Sequence, residues 1–506
     1  MARHGHGLLA TTARGASGPH GLPEPLKSSK LPSSRPPRPL ARAPNIAVIG
    51  TCAMGIMYFT APLVISILRV VPRFSRWSPV IGLLLTCFAL AMSSFSTTVP
   101  HLIATQGVFY AIGGALAYIP CIVYMDEWFV RRKGLAYGIM WSGTGIAGVI
   151  FPLLMEALLS RFGHRTTLRL WAGLLFLLAA PLAFFIRPRI PPTSARSSSA
   201  AFRRPHANVR FLLSRPFLLH QVPNIVEALG YFLPAVYLPS YAQTFLGAAP
   251  FAAASTLLFV NVASVFGCVA MGHMVDRLPV GHCLLVSSVG AAVGCLMLWG
   301  FASNLPVLYV FCAVYGLFAG SYTSAWPGVM TSIVEREKGK GRGVDPILVF
   351  GCLASGRGVG NMVSGPLSEA LIEGKPWMGD AGFGYGSGYG TLIVFTGVTA
   401  ALGGVSWLWK RIGWMNNHPS TLQQHNAAAA AVMSFEKNAV LAPPEPALLS
   451  PQPRLTQPRP IAPMSYAPSP EEQALALRGG RRGDCSAICC GMCAGFCCFQ
   501  CLDCLC

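Results

Sequence analysis

Long apolar segments alternate with short polar connections along most of this chain. A helix needs roughly 20 apolar residues to cross the hydrocarbon core of a bilayer, and about eleven segments meet that requirement. Their predicted ranges are 46–69, 79–98, 101–125, 134–158, 168–186, 217–245, 252–273, 281–302, 304–332, 347–372 and 388–409. The pattern therefore predicts an all-α membrane protein.

Polar segments divide the spans into groups of five and six. The dividing linker holds seven arginines and no acidic residue, and the two terminal regions have the Pro-, Ser- and Ala-rich composition of disordered segments. The predicted parts are a basic tail at 1–44, a five-span half at 45–186, the basic linker at 187–216, a six-span half at 217–410, a disordered tail at 411–484 and a Cys-rich, membrane-anchoring tail at 485–506.

Composition supports a membrane protein and excludes other classes. The chain is 53% hydrophobic and only 11% charged, whereas soluble domains are about 25% charged. The net charge of +20 does not indicate nucleic-acid binding, because Lys and Arg lie between apolar segments and in the tails. The GxGxxG pattern at Gly143–Gly148 lies inside an apolar segment, which favours close helix packing over a dinucleotide site. No metal, nucleophile or phosphate-binding pattern predicts an enzyme or a cofactor.

The positive-inside rule sets the expected orientation. One alternate set of connections carries eighteen Lys and Arg residues and the other carries four. The richer set, which includes the linker, is therefore expected in the cytoplasm together with the C-terminal tail. The plasma membrane is the expected location, with an internal membrane as the alternative. With eleven spans, the basic N-terminal tail falls outside, against the rule. Either that tail crosses the membrane, or a preceding helix restores the parity.

Several motifs are similar to those of one transporter family. The longest runs from Trp128 to Gly145, WFVRRKGLAYGIMWSGTG, and leads into a span. The others are Gly230–Pro234, Tyr237–Ala242, Gly272–Arg277, Gly316–Gly320, Gly356–Asn361 and Ser364–Pro366. Over about 46–410, the chain resembles the monocarboxylate-transporter-like proteins of the major facilitator superfamily, especially fungal ones.

This resemblance implies a bundle of two pseudo-symmetric halves that moves a solute by alternating access. The family has twelve spans, so the five-plus-six division implies that the family's first helix is lacking here. The acidic-glycine-aromatic motif of that helix has no match, and the connection from Arg69 to Arg76 lacks the family's Gly-x-x-x-Asp-Arg signature. Animal members carry a functional acid and arginine in the span matching 252–271, but this segment holds no charge.

Two charged residues stand out inside apolar spans. Glu227 and Arg357 each lie about ten residues from the predicted cytoplasmic end of a span, or roughly 15 Å deep. A charge at the centre of a spanning helix costs at least ~2.5–3.5 kcal/mol, so such residues usually have a function. We expect Arg357 to bind a substrate carboxylate through two hydrogen bonds and Glu227 to carry a proton. The alternative role is a permanent ion pair that braces two helices.

Polar and aromatic neighbours complete the predicted site. His220, Asn224, Glu227 and Tyr231 share one helix face, as do Arg357, Asn361 and Ser364. The predicted substrate-binding residues are Arg357, Asn361, Asn224, Tyr231, Tyr315 and Trp326. The predicted proton-coupling residues are Glu227 and His220.

Charged loops and the last cysteines have other predicted roles. The residues assigned to cytoplasmic gating are Asp126, Arg131, Arg132, Asp276 and Arg277. The nine terminal cysteines follow basic residues and alternate with apolar ones, which favours S-palmitoylation. Zinc or copper binding and an incidental tail are the alternatives. These cysteines are Cys485, Cys489, Cys490, Cys493, Cys497, Cys498, Cys501, Cys504 and Cys506.

The function expected from these residues and the resemblance is proton-coupled monocarboxylate symport. The expected partners are a small-molecule substrate, the proton and membrane lipid. Two alternatives remain open: a carrier of a vitamin or other neutral solute, such as riboflavin, and a transport-inactive sensor or scaffold.

Overall fold

The computed structural model describes residues 46–129, 131–186 and 209–414, which fold mainly into helices. The linker, both tails and the nine terminal cysteines lie outside or largely outside these ranges. The α-helices are α1 Ile46–Phe59, α2 Ala61–Val70, α3 Pro72–Ser93, α4 Val99–Leu102, α5 Tyr110–Trp128, α6 Lys133–Phe185, α7 Arg215–Tyr231, α8 Leu233–Thr244, α9 Pro250–Val275, α10 Val280–Val293, α11 Leu305–Phe318, α12 Trp326–Gly339, α13 Pro346–Ile372, α14 Gly390–Gly403 and α15 Val405–Arg411. A π-helical segment, Ile103–Phe109, joins α4 to α5, and another, Gly294–Trp299, extends α10.

Nine helical segments within the described ranges are long and apolar enough to cross a membrane. One of them, Lys133–Ala183, consists of two helices that meet at Gly163, whose φ is +71°. α7 and α8 follow each other with an interruption at Phe232, and together they are long enough to form a further span. Eleven spans result, five before residue 187 and six after residue 208, and the predicted all-α fold is confirmed.

Three predicted spans differ in detail from the observed helices. The segment 217–245 is two helices, because Pro234 has no N–H to continue the helical ladder. The segment 304–332 is broken between α11 and α12, and α12 continues to Gly339 through charged residues that an apolar pattern does not include. α3 begins at Pro72, seven residues before the predicted start, for the same reason.

The two halves pack against each other through two matching pairs of helices. α1 and α2 pack against α13, and the first part of α6 packs against α9. Within the six-span half, α9 is the second span and α13 is the fifth. A twofold relation between the halves therefore makes α1–α2 the counterpart of α9, and the first part of α6 the counterpart of α13. No described residues of the five-span half form a counterpart of α7–α8.

The outer surface carries many large apolar side chains. Phe88, Leu177 and Phe266 are each more than half exposed. Such a surface is typical of helices that contact lipid rather than water. The charged pair described next lies on the inner side of this bundle.

Candidate functional site

Glu227 of α7 and Arg357 of α13 form a buried ion pair. Nη1 of Arg357 donates a hydrogen bond to Oε2 of Glu227. The side chains are only 1% and 5% exposed for Arg357 and Glu227, respectively. Two opposite charges neutralise each other there, and removing either partner would leave an uncompensated charge in a dry environment. The structure thus brings together the two residues that the sequence singled out.

Close approach of α7 and α13 places the two charges side by side. A methyl group at Gly360 would lie 2.6 Å from Cβ of Ala228, so only glycine allows this spacing. Nδ2 of Asn224 donates to the backbone oxygen of Leu353 over 2.8 Å and links the same two helices. Gly403, at the end of α14, lies against the side chain of Glu227 and closes the third side.

Two tyrosine rings flank the guanidinium of Arg357. Its central carbon lies 4.4 Å from the ring centroid of Tyr231 and 5.7 Å from that of Tyr322. Cation–π contacts of this kind contribute up to about 2 kcal/mol when they are desolvated. The hydroxyl of Tyr315 donates to the backbone oxygen of Tyr231 over 2.8 Å, at the break between α7 and α8.

Interrupted helices surround the charged pair. Tyr231 ends α7, and Tyr322 begins the 3-10 turn Tyr322–Ala325 between α11 and α12. Breaks at membrane depth free backbone groups, and in transporters they commonly mark the binding site. Both breaks belong to the six-span half, and each places a tyrosine ring next to Arg357.

Several buried polar atoms next to the pair have no hydrogen-bond partner among the described residues. They are Nη2 of Arg357, Oδ1 and Nδ2 of Asn361, and Oδ1 of Asn224. Asn361 is fully buried one helical turn beyond Arg357. Buried polar groups are rarely left unsatisfied without a functional reason. A carboxylate could accept from the two free donors, Nη2 of Arg357 and Nδ2 of Asn361, whereas the two amide oxygens need a ligand group that donates, such as a hydroxyl.

Two predicted site residues lie apart from the pair. His220 is buried about two turns before Glu227 on α7, and its Nδ1 has no hydrogen-bond partner within the described ranges. Trp326 begins α12 and packs against Tyr58, with ring centroids 6.3 Å apart. Neither residue makes a described contact with Glu227.

One predicted gating residue connects the two halves. Asp276, at the end of α9, accepts hydrogen bonds from the backbone N–H groups of Gly134 (2.8 Å) and Leu135 (2.9 Å). These N–H groups begin α6, where a carboxylate satisfies free donors and opposes the positive end of the helix dipole.

A second contact between the halves involves residues that the sequence did not indicate. Arg69, at the end of α2, binds both carboxylate oxygens of Asp345, with Nε–Oδ2 and Nη2–Oδ1 distances of 3.1 and 3.2 Å. Asp345 also caps α13, because its Oδ1 accepts from the N–H of Ile347. An Asp directly before a Pro-initiated helix is a capping signal, but its partner in the other half has no sequence signal.

The other predicted gating residues do not bridge the halves. Asp126 binds Lys133 over 2.5 Å within the five-span half, rather than Arg131 or Arg132. Those two arginines and Arg277 are exposed, and no ion pair involves them within the described ranges. The same ranges contain no cluster of three or more His, Cys, Asp or Glu side chains that could hold a metal ion.

Tyr322 and Tyr58 were also missed from the sequence. Tyr322 lies in the helix break four residues before Trp326, and only the cluster GSYTSAW with its small polar residues hinted at that break. Tyr58 lies inside an apolar run of α1, where nothing distinguishes it from a packing residue.

The helical bundle and its buried midspan charges are those of a membrane transporter. Comparison with known proteins agrees: the sequence profile of the Major Facilitator Superfamily matches residues 36–344, more than half of the chain. The chain therefore belongs to this superfamily, and it is a multi-pass membrane transporter of a small molecule rather than an enzyme.

Three relatives illustrate the range of similar proteins. "MFS-type transporter 1" of Ophiocordyceps sp. (strain BCC 1869) is 28% identical over 68% of this chain and 72% of its own length. Monocarboxylate transporter 13 of Rattus norvegicus is 28% identical over 66% of this chain and 74% of its own. The Fujikurins efflux protein of Gibberella fujikuroi is 26% identical over 50% of this chain and 54% of its own. The predicted likeness to monocarboxylate transporters is thereby confirmed.

Proposed function

We propose that this transporter carries a small organic monocarboxylate together with a proton. The observation that supports the proposal most directly is the buried pair of Arg357 and Glu227, in which Nη2 of Arg357 has no partner among the described residues. A guanidinium can bind a carboxylate through two parallel hydrogen bonds. The monocarboxylate transporters among the relatives support the same substrate class.

Charge balance links the proton to the substrate. Without substrate, Arg357 and Glu227 neutralise each other. A substrate carboxylate that displaces Glu227 from Arg357 leaves Glu227 as an uncompensated buried anion, which is strongly unfavourable. Protonation of Glu227 restores neutrality, so one anion and one proton bind together. A pH difference of one unit can then drive up to about tenfold accumulation.

Alternating access requires the two halves to separate at one end at a time. We assign the contact of Asp276 with α6 to gating, at the predicted cytoplasmic end of the bundle. The ion pair of Asp126 and Lys133 lies at the same end of the bundle and stabilises the five-span half there. Location in the plasma membrane, a cytoplasmic C-terminus and palmitoylation of the terminal cysteines stay predictions.

The substitution Arg357→Lys tests the proposal. Lysine keeps the charge that Glu227 needs but loses the planar fork that binds a carboxylate through two hydrogen bonds. We expect exchange of labelled pyruvate by the full chain in liposomes to fall at least about tenfold, while the apparent melting temperature changes little. Arg161→Lys, in an exposed part of α6, is the matched control. Unchanged exchange by Arg357→Lys would leave only the bracing role.

Efflux is a second candidate direction. One relative is named as an efflux protein, and the same site could load from the cytoplasm. Exchange between liposome interior and medium does not depend on direction, so it detects the substrate in either case. Exchange of riboflavin but not pyruvate, independent of pH, would instead favour a neutral solute. No exchange of any solute by folded protein would favour the sensor or scaffold.

A further inference from the structure

Aromatic side chains lie beside the charged pair and beyond it. The ring centroid of Tyr322 is 5.7 Å from the central guanidinium carbon of Arg357, and Trp326 lies four residues further along the same broken span. Tyr58 of α1 packs edge-to-face on Trp326, with ring centroids 6.3 Å apart. Together with Trp141 and Tyr118 of the five-span half, these residues are called the aromatic row.

The aromatic row crosses from one half of the protein to the other. The ring centroids of Trp326 and Trp141 of α6 are 6.5 Å apart, and the two ring planes are nearly perpendicular. The ring centroids of Trp141 and Tyr118 of α5 are 5.9 Å apart. All these rings are at most 5% exposed. Because Trp141 and Trp326 belong to different halves, their contact has to break when the halves separate on that side.

We infer that the anion bound by Arg357 carries a flat aromatic body, and that Trp141 and Trp326 form the surface that recognises it. This inference rests on the proposed function. Aromatic rings stack in offset or edge-to-face geometry, and each such contact adds to simple burial of apolar area. A ring attached to the carboxylate can replace the contact between Trp141 and Trp326 as the halves part. A short aliphatic acid leaves these ring faces uncovered.

Two acids with the same head group test the inference. Pyruvate and phenylpyruvate share the α-keto carboxylate and differ by the ring. We expect the full chain in liposomes to exchange phenylpyruvate with a kcat/KM at least about tenfold above that of pyruvate, which corresponds to about 1.4 kcal/mol. Equal values for the two acids would overturn the inference. If Arg357→Lys still abolished exchange of both, the proposed function would stand without it.

Substitutions of Trp141 separate recognition from packing. Trp141→Leu should lower the kcat/KM for phenylpyruvate at least about fivefold more than the kcat/KM for pyruvate. Trp141→Phe, which keeps a ring, should retain most of the preference. If Trp141→Leu does not fold, the double substitution Trp141→Phe with Trp326→Phe decides, since its smaller ring faces should lower the preference for phenylpyruvate by more than either single substitution. Equal losses for both acids would show a packing role and overturn the inference.

Discussion

Among single residues, Arg357 and Glu227 determine the character of the site. Their burial is tolerated because each charge compensates the other, and Tyr231 adds a ring face to the guanidinium. Such a pair need not stabilise the fold more than two apolar residues would. Its position between interrupted helices is better explained by a role in binding.

Substitution of one partner at a time should reveal the coupling between the two charges. Glu227→Gln leaves the charge of Arg357 uncompensated, and Arg357→Gln leaves the charge of Glu227 uncompensated. Each substitution should lower the free energy of unfolding by about 3–5 kcal/mol. The double substitution should be clearly less destabilising than the sum of the two.

Thermal unfolding of the full chain in detergent measures this effect. Glu373→Gln, at the exposed end of α13, is the control and should change stability by at most about 0.5 kcal/mol. Additive effects of the two single substitutions would mean that the charges do not interact.

Among the helices, glycines decide how closely α6 approaches α9. A methyl group at Gly138 would lie 2.5 Å from the backbone oxygen of Cys268 and 3.1 Å from Cα of Gly272. A methyl group at Gly145, within the GxGxxG pattern, would likewise come too close to α9, at the side chain of Ser264. The pattern thus belongs to a helix contact, where small residues allow backbones to pack tightly.

Substitution of Gly138 by alanine should therefore disturb the contact between the halves. We expect Gly138→Ala to destabilise the protein by about 1–3 kcal/mol through overpacking, because the clashing atoms are backbone and cannot rotate away. Gly173→Ala, also in α6, is the control: a methyl group there meets nothing within 4 Å. It should be neutral or slightly stabilising, since alanine favours the helix. Equal melting temperatures for the two variants would contradict this account.

For the molecule as a whole, two polar contacts join the halves. Asp276 links α9 to the start of α6, and Arg69 links α2 to Asp345. The two links differ in kind. The first joins a carboxylate to backbone N–H groups, and the second is an ion pair between two side chains. Both hold the same end of the bundle together.

Removal of Asp276 should favour the state that is open at this end. A lost helix cap costs about 0.5–2 kcal/mol, so Asp276→Ala should raise the open population between about twofold and thirtyfold. Arg69→Ala should act in the same direction but by no more than about fivefold, because that ion pair is partly exposed.

Hydrogen–deuterium exchange at the start of α6 and of α13 measures the opening. Deuterium uptake should increase in both segments of the Asp276→Ala variant. It should stay unchanged in Asp380→Asn, a control in the exposed loop after α13. An increase restricted to the first turn of α6 would indicate loss of the cap without opening.

Much of this protein follows from the linear pattern of its residues. The long apolar helices were predictable because a chain in lipid must satisfy its backbone within each helix, so long apolar runs have few alternatives. Glu227 and Arg357 were recognisable as candidate site residues because a charge in such a run is costly. Helix breaks at Phe232 and before Trp326 were less visible, because neighbouring groups in the bundle satisfy the freed backbone.

The pairing of distant groups depended on the folded bundle. Glu227 and Arg357 are 130 positions apart, and Arg69 and Asp345 are 276 apart, so no local pattern announces either contact. The positions of Tyr322 and Tyr58 became informative only in the fold, where the 3-10 turn before α12 places Tyr322 near Arg357 and the packing of α1 places Tyr58 against Trp326. Local sequence settles which segments enter the membrane, since that depends on the transfer of each segment into lipid. The site depends on which helices meet, and that is set by the shapes and charges of surfaces far apart in the chain.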